Sequence, residues 1–398
     1  MSSSTSAGQD AAGAGTFDPN NVNLTSPDID QTAIYCYLQG GANEYDGRLG
    51  ARVSALFVIL IVSSAVTFFP VAATRIPRFR IPLYVYLFAR YFGAGVIVAT
   101  AFIHLLDPAY SEIGPQTCVG MTGGWAQYSW PPALALVSTM AVFLMDFAAE
   151  RYVETKYGLA HGASDHQGGR SGSVDAAMLR YTLSHRDSSH QTHQHLHSGD
   201  QNDIERSAPS SSRQNNEKDV DTTSIDTATE RAEERSFQQQ IAAFLILEFG
   251  VIFHSVIIGL TLGTAGDEFT ALYPVIVFHQ SFEGLGIGAR MSAIPFPKRI
   301  KWLPWILCAA YGLTTPIAIA IGLGVRTTYN PASFTANVVS GVLDSVSAGI
   351  LLYTGLVELL ARDFLFNPDR TRDNKQLTFM MCSVLLGAAL MALLGKWA

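Results

Sequence analysis

Charge is scarce in this chain: Asp, Glu, Lys and Arg make up 15% of its 398 residues, against roughly a quarter in an average soluble protein. The little charge present is gathered in the first 50 residues or so, in a polar block from about 157 to 237, and in short connectors. The remaining stretches offer no polar helix face to water, which excludes a soluble helical protein. The opening residues MSSSTSAGQDAAGAG lack the basic flank and apolar core of a secretory signal peptide, so the first apolar run is expected to do its own targeting. An Arg-rich presequence is missing too. The four cysteines, at 36, 118, 308 and 382, form no CxxC pair, which argues against a thiolate metal site or a redox motif. There is no GxxxxGK(S/T) for nucleotide-driven work and no HExxH for hydrolysis on a metal. The net charge of −7 sits partly in the polar segments and implies no nucleic-acid partner.

What is abundant is hydrophobicity, at 48% of residues. It is arranged as eight runs, about 51–73, 83–106, 131–151, 239–263, 269–290, 302–325, 334–360 and 376–396. Each has roughly the 20 residues needed to cross a bilayer, and only a helix satisfies its own backbone in lipid. The expected fold is an all-α polytopic membrane protein. Residues 1–50 form an extracellular segment, 51–156 carry spans one to three, 157–237 form a cytosolic loop, and 238–398 carry spans four to eight. Basic residues orient the spans. Arg75, Arg78 and Arg80 follow the first, Arg290, Lys298, Arg299 and Lys301 the fifth, and Arg362, Arg370, Arg372 and Lys375 the seventh, whereas 107–130 and 264–271 contain no Lys or Arg. The odd-numbered connectors are therefore expected in the cytosol and both termini outside. On that reading Cys36 and Cys118 share the oxidising side and can pair, while Cys308 and Cys382 lie in spans as packing residues.

The loop from 157 to 237 is rich in Ser, Asp, Gln, Asn and His, and is expected to be disordered. It holds seven of the ten histidines: His161, His166 and the run His185, His190, His193, His195 and His197. Such tracts bind zinc or copper weakly, so the loop reads either as a solvated spacer or as a metal sensor. Lys218 is its one lysine and a candidate acceptor for ubiquitin.

The other three histidines, His104, His254 and His279, fall within spans, where ionisable groups face a cavity or a partner. Span four reads EFGVIFHSVIIGLTLG over 248–263 and span five HQSFEGLGIGAR over 279–290. His279 and Glu283 are four apart and share a helix face. A carboxylate buried in hydrocarbon takes up a proton or needs a countercharge, and a divalent cation supplies one. The short connector TAGDEFT makes spans four and five antiparallel neighbours, which brings His254 to the depth of His279 and Glu283. Two imidazoles and a carboxylate suit zinc and tolerate iron(II), manganese(II) or cadmium(II). Gln280 and Ser255 are neutral oxygen donors available to complete the shell. His104 and Asp107, near the outer end of span two, are candidate entrance residues, although Asp107 reads equally as a helix-end residue before Pro108. Asp146, Glu248 and Glu358, in the inner halves of spans three, four and seven, are candidates for an exit path or for pairing with connector arginines. Gly259 and Gly284 each lie five residues after a site histidine, and with Gly263, Gly286 and Gly288 they allow close helix approach. The repeated spacing on antiparallel spans hints at inverted symmetry.

The runs HSVIIGLTLG (254–263) and HQSFEGLGIG (279–288), supported by GVIVATAFIHLLDPA (95–109) and CVGMTGGWAQYSWPP (118–132), resemble the ZIP (Zrt/Irt-like protein) metal importers, in particular their fungal plasma-membrane zinc-transporter branch. The likeness extends over nearly all of 35–398. It implies an eight-helix fold in which spans one to three repeat, inverted, as spans six to eight around spans four and five. It also implies metal ligands at His254, His279, Gln280 and Glu283, with zinc as transported substrate, no catalysis and no cofactor. Some bacterial relatives hold a second adjacent metal on extra carboxylates; the matching positions here are Ile258 and Gln280, so a single metal is expected. A homodimer is compatible with the reading. The competing readings are an importer preferring iron(II) or manganese, a proton-coupled exporter, and an intramembrane zinc metallohydrolase.

Overall fold

A computed structural model of the chain describes residues 32, 34, 36–37, 40, 45–76, 81–157, 218–367 and 371–397, with the backbone alone over 218–236 and at a few single positions. The histidines at 161, 166, 185, 190, 193, 195 and 197 lie outside the described residues, as does the Lys218 side chain. Eight long helices follow one another: α1 (Leu49–Arg75), α2 (Leu83–Ile113), α3 (Trp130–Tyr157), α4 (Lys218–Thr264), α5 (Phe269–Ala293), α6 (Leu303–Val325), α7 (Phe334–Phe366) and α8 (Asn374–Leu394). No strand occurs among the described residues.

Seven of the eight are long and apolar enough to cross a membrane, and α5 is the exception. Its lower hydropathy has a physical reason. His279, Gln280, Glu283, Arg290 and Ser292 dilute its hydropathy, and its neighbours bury 14 of its 25 residues. Lipid therefore meets little of it, while its length of roughly 37 Å is ample for the hydrocarbon layer. The start of α4 is a second difference. It begins at Lys218, inside the segment expected to be disordered. TATERAEERSFQQQ is dense in Ala, Glu, Arg and Gln, all good helix formers, and a helix already nucleated by the buried span extends into such a sequence cheaply.

The helices pack α2 on α8, α3 on α7, α1 on α5, α4 on α6, α2 on α5 and α4 on α7. Exchanging one with six, two with seven, three with eight and four with five leaves this set of pairings unchanged, as an inverted repeat requires. The wide-turned stretches agree with it: α2 is π-helical over Thr100–Leu106 and α7 over Thr354–Phe366. The glycines agree as well. A Cβ on Gly259 of α4 would come within 2.5 Å of the Ala318 Cβ on α6, and one on Gly284 of α5 would strike Thr67 Oγ1 on α1. Each glycine five residues beyond a site histidine thus seats the helix that its repeat partner predicts. Gly286 meets Gly93 of α2, where an added Cβ would lie 2.8 Å from the Gly93 Cα.

Val71, Ile97, Leu105, Leu247, Val251, Ile287, Tyr311 and Leu351 form the main interior cluster. Large apolar side chains cover the outside, notably Leu136, Val137, Leu144 and Phe147 on α3, the surface that hydrocarbon wets without cost. One end of the bundle is locked twice. Cys36 and Cys118 are disulfide-bonded, tying the N-terminal segment to the α2–α3 connector. Arg52 of α1 is fully buried and donates to the carbonyls of Leu262, Gly263 and Ala265, which closes the C-terminal end of α4. Its guanidinium also pairs with Asp46 at 2.7 Å and lies over the rings of Tyr45 and Phe269. Cys308 is buried as expected of a packing residue, whereas Cys382 is exposed on α8.

Candidate metal centre

Glycines and small residues let α4 and α5 sink into the middle of the bundle, and their polar side chains converge there. His254, His279, Gln280 and Glu283 are each no more than 2% exposed, and Ser255 is fully buried. The Nε2 atoms of His254 and His279 are 3.1 Å apart, and His279 Nε2 is 3.5 Å from Glu283 Oε1. One ligand atom from each of the three residues lies within 4.8 Å of the other two. Zinc bonds of 2.0–2.1 Å at tetrahedral angles separate neighbouring donor atoms by about 3.3 Å, so the spacing matches a shared ion. No lysine or arginine pairs with Glu283 among the described residues, and both its carboxylate oxygens lack a hydrogen-bond partner. A carboxylate so enclosed costs several kcal/mol if charged and unpaired. A dication removes that cost, and the two imidazoles fill the shell with it.

The neutral donors behave differently from one another. Ser255 Oγ is unpartnered and available. Gln280 Oε1 accepts a hydrogen bond from the Tyr311 hydroxyl at 3.1 Å, the same hydroxyl lying 3.2 Å from the Gln280 carbonyl oxygen. One lone pair of Oε1 is left over, so Tyr311 fixes the amide without consuming it. Position 258 is Ile and position 280 Gln, and His254, His279 and Glu283 are the one group of three metal-type ligands among the described residues.

His104 is drawn into the site more closely than its spacing implies. Its ring meets that of His279 edge to face at 4.6 Å, and its Nε2 lies 3.0 Å from the Met391 carbonyl of α8. Asp107, three residues on, is exposed at the start of Asp107–Ile113. The expected entrance pair is therefore split between interior and surface. The π-helical turn over Thr100–Leu106 breaks the α-helical register that would have stacked the two.

At the opposite end of the helices, the three candidate exit carboxylates have three different surroundings. Glu248 of α4 is buried with both oxygens unpartnered. Glu358 is paired with Arg362 at 2.6 Å, the connector-arginine alternative. Asp146 accepts from the Tyr353 hydroxyl at 2.8 Å and lines a cavity of about 180 Å³ with Glu150, Gln238, Gln239 and Arg362. A second ion pair, Arg90 with Asp363 at 2.7 Å, ties α2 to α7 nearby.

Sequence reasoning missed Tyr311, Arg52 and Thr100, the last lying beside Glu283. A tyrosine in the middle of span six and an arginine just inside span one were the available signals, since each brings a polar group that must find a buried partner.

Comparison with known proteins places the chain in a family. The chain is 56% identical over 390 residues to Zinc-regulated transporter 1 of Saccharomyces cerevisiae, covering 96% of this chain and 97% of that protein. It is 42% identical to Zinc-regulated transporter 1 of Schizosaccharomyces pombe, over 90% of this chain and 88% of that one. To Zinc transporter 9 of Oryza sativa it is 33% identical, over 87% and 89%. No solved structure matches it. Residues 49–395, from the first turn of α1 to the end of α8, match the family model described as ZIP Zinc transporter, and the chain belongs to that family.

Proposed function

We propose that the protein imports zinc(II) into the cytosol through a single metal centre on α4 and α5, with His254, His279 and Glu283 as ligands and Gln280 and Ser255 completing the shell. The observation that carries this reading is the buried Glu283 carboxylate, with no lysine or arginine partner among the described residues, beside two imidazoles at donor spacing. Membership of the ZIP zinc transporters supports the direction and the cargo. An inside-negative potential drives a divalent ion inward by about 4.6 kcal/mol per 100 mV, twice the 2.3 kcal/mol of a single charge, so no energy-coupling motif is required. Iron(II), manganese(II) and cadmium(II) are accepted by the same donor set. Protonation of the imidazoles competes with the metal, so binding weakens in acid.

His104 stands at the outer edge of the centre as an entrance residue, and Asp107 at the surface recruits cations. Glu248, Asp146 and Glu358 line the exit, supported by the cavity at Asp146 and by the unpaired state of Glu248. The orientation, both termini outside and the 157–237 loop in the cytosol, rests on the arginine- and lysine-rich odd connectors. It gains support from Arg52, an arginine at the other end that is spent on capping α4, and from the disulfide, which belongs on an oxidising side. The protein is assigned to the plasma membrane as a multi-pass protein, its loop histidines His185, His190, His193, His195 and His197 to metal sensing, Lys218 to the ubiquitin machinery, and self-association to a homodimer. Uptake of radioactive zinc by cells producing the wild type, His254→Ala or Glu283→Ala tests the reading. Wild type raises uptake and both variants abolish the increase. An exporter would lower uptake, and an intramembrane hydrolase would leave it unchanged.

A further inference from the structure

Two more carboxylates outside the metal centre, one buried and one half-buried, lie near each other without a countercharge among the described residues. Asp344 of α7 is 3% exposed and its Oδ1 has no hydrogen-bond partner. Glu112, in the last turn of α2, is half-buried with Oε2 enclosed and equally unpartnered. The helices touch closely at this point: a Cβ on Gly341, one turn before Asp344, would sit 2.7 Å from Ile113 Cγ2 and 3.2 Å from Glu112 Cβ. Glu112 is the charged group that bears on Asp344, and among the described residues no basic group bears on either. One turn further along α7, on the same face, Ser347 is fully buried and its Oγ too has no partner. Two carboxylates thus lie close together, with a buried hydroxyl one helical turn along, and no basic side chain among the described residues balances the two acids.

Like charges confined together are costly, and a bound cation is a direct remedy. The donors are all oxygen, two carboxylates and a hydroxyl, which suits a hard divalent ion that keeps part of its water shell. The place is informative as well. Glu112 lies eight residues past His104 on the same helix, about 12 Å outward at 1.5 Å per residue, toward the end that carries the Cys36–Cys118 bridge. His104 in turn abuts His279.

We propose that Glu112, Asp344 and Ser347 form a second, oxygen-donor site for a divalent cation, a staging point outward of the imidazole centre. A hydrated cation is held there by carboxylates before it exchanges water for imidazole nitrogen at the inner site.

The test uses manganese(II) as probe, because imidazole tracts compete weakly for it. Full-length protein is purified in detergent in a background carrying His254→Ala and Glu283→Ala, with the loop histidines at 185, 190, 193, 195 and 197 changed to Ser. Loss of the free-ion signal in electron paramagnetic resonance counts bound manganese. The expected result is one equivalent per chain in this background, lost on adding Asp344→Asn and weakened by Glu112→Gln. No bound manganese in the background would overturn the proposal, the acids then sharing a proton, and so would binding that survives Asp344→Asn. Both changes are near-isosteric and remove buried charge. Glu112→Gln, at a half-buried position, gives the same reading should Asp344→Asn not yield folded protein. Zinc binding by the chain with His254 and Glu283 intact but Asp344→Asn reports on the inner centre separately, so either site can fail alone.

Discussion

Replacing Glu283 by Gln should have opposite effects on the metal-bound and the metal-free protein. The change keeps the side chain's shape and one carbonyl oxygen but removes the charge that balances the ion. Breaking a buried ion pair by deleting one partner costs about 3–5 kcal/mol. At about 1.4 kcal/mol per decade, zinc affinity should fall by roughly two to three and a half decades. Without metal, however, the wild-type carboxylate is 1% exposed and both oxygens lack partners. Glu283→Gln removes that burden, so the apo variant should be as stable as the apo wild type or more so. The assay is thermal unfolding of detergent-purified protein with chelator and with zinc. Zinc at one hundred times the wild-type Kd should stabilise the wild type by about 2.7 kcal/mol. With affinity a hundredfold weaker, the same zinc should stabilise the variant by only about 0.4 kcal/mol. A wild-type zinc response in the variant would refute the reasoning. So would a clear loss of apo stability, since it would mean that a protein cation already pairs with the carboxylate.

Three other outcomes follow from the same geometry. His104→Ala should raise the KM for zinc uptake while leaving the capacity of the centre for one zinc intact, because His104 borders the three-ligand cluster through His279 without belonging to it; equilibrium dialysis beside uptake kinetics separates the two quantities. Cys36→Ser opens a bridge spanning 82 residues, worth up to about 4.5 kcal/mol in the chain-entropy account; gel mobility without reductant should change and the melting temperature should drop, whereas zinc affinity should not. Asp46 lies outside the spans, and its hydrogen bond from Arg52 holds its carboxyl below the ordinary 3.8. A depressed folded-state pKa contributes stability that is complete above the unfolded value and is lost as pH falls through the folded one. Acid melts of the wild type should therefore lose stability below pH ~4, and Asp46→Asn should remove that part of the slope.

The number of long helices, the adjacency of α4 and α5, and the cluster of His254, His279 and Glu283 were legible in the sequence because each follows from a local rule. Apolar length sets a span, an i,i+4 spacing sets a shared face for His279 and Glu283, and a seven-residue connector sets antiparallel neighbours. The disulfide was legible as a permitted pair once basic connectors had assigned Cys36 and Cys118 to one side. Other features depended on contacts between residues remote in the chain. α5 crosses the bundle although its own hydropathy is too low, because the other helices shield it and no window along one segment contains that fact. His104 and Asp107 part company because a π-helical turn, stabilised by packing against α7 and α8, overrides the spacing of an ideal helix. Tyr311 reaches Gln280 across 31 positions and Arg52 caps Leu262 across 210. In the sequence, Glu112 and Asp344 are unrelated acids; only the close approach of α2 and α7 at Gly341 sets them together. The chain by itself determined which groups must be buried, since hydrocarbon tolerates no alternative for long apolar runs. Which buried polar groups meet was decided by helix packing, because a side chain's partner is fixed by the crossing of two helices and not by the periodicity of either.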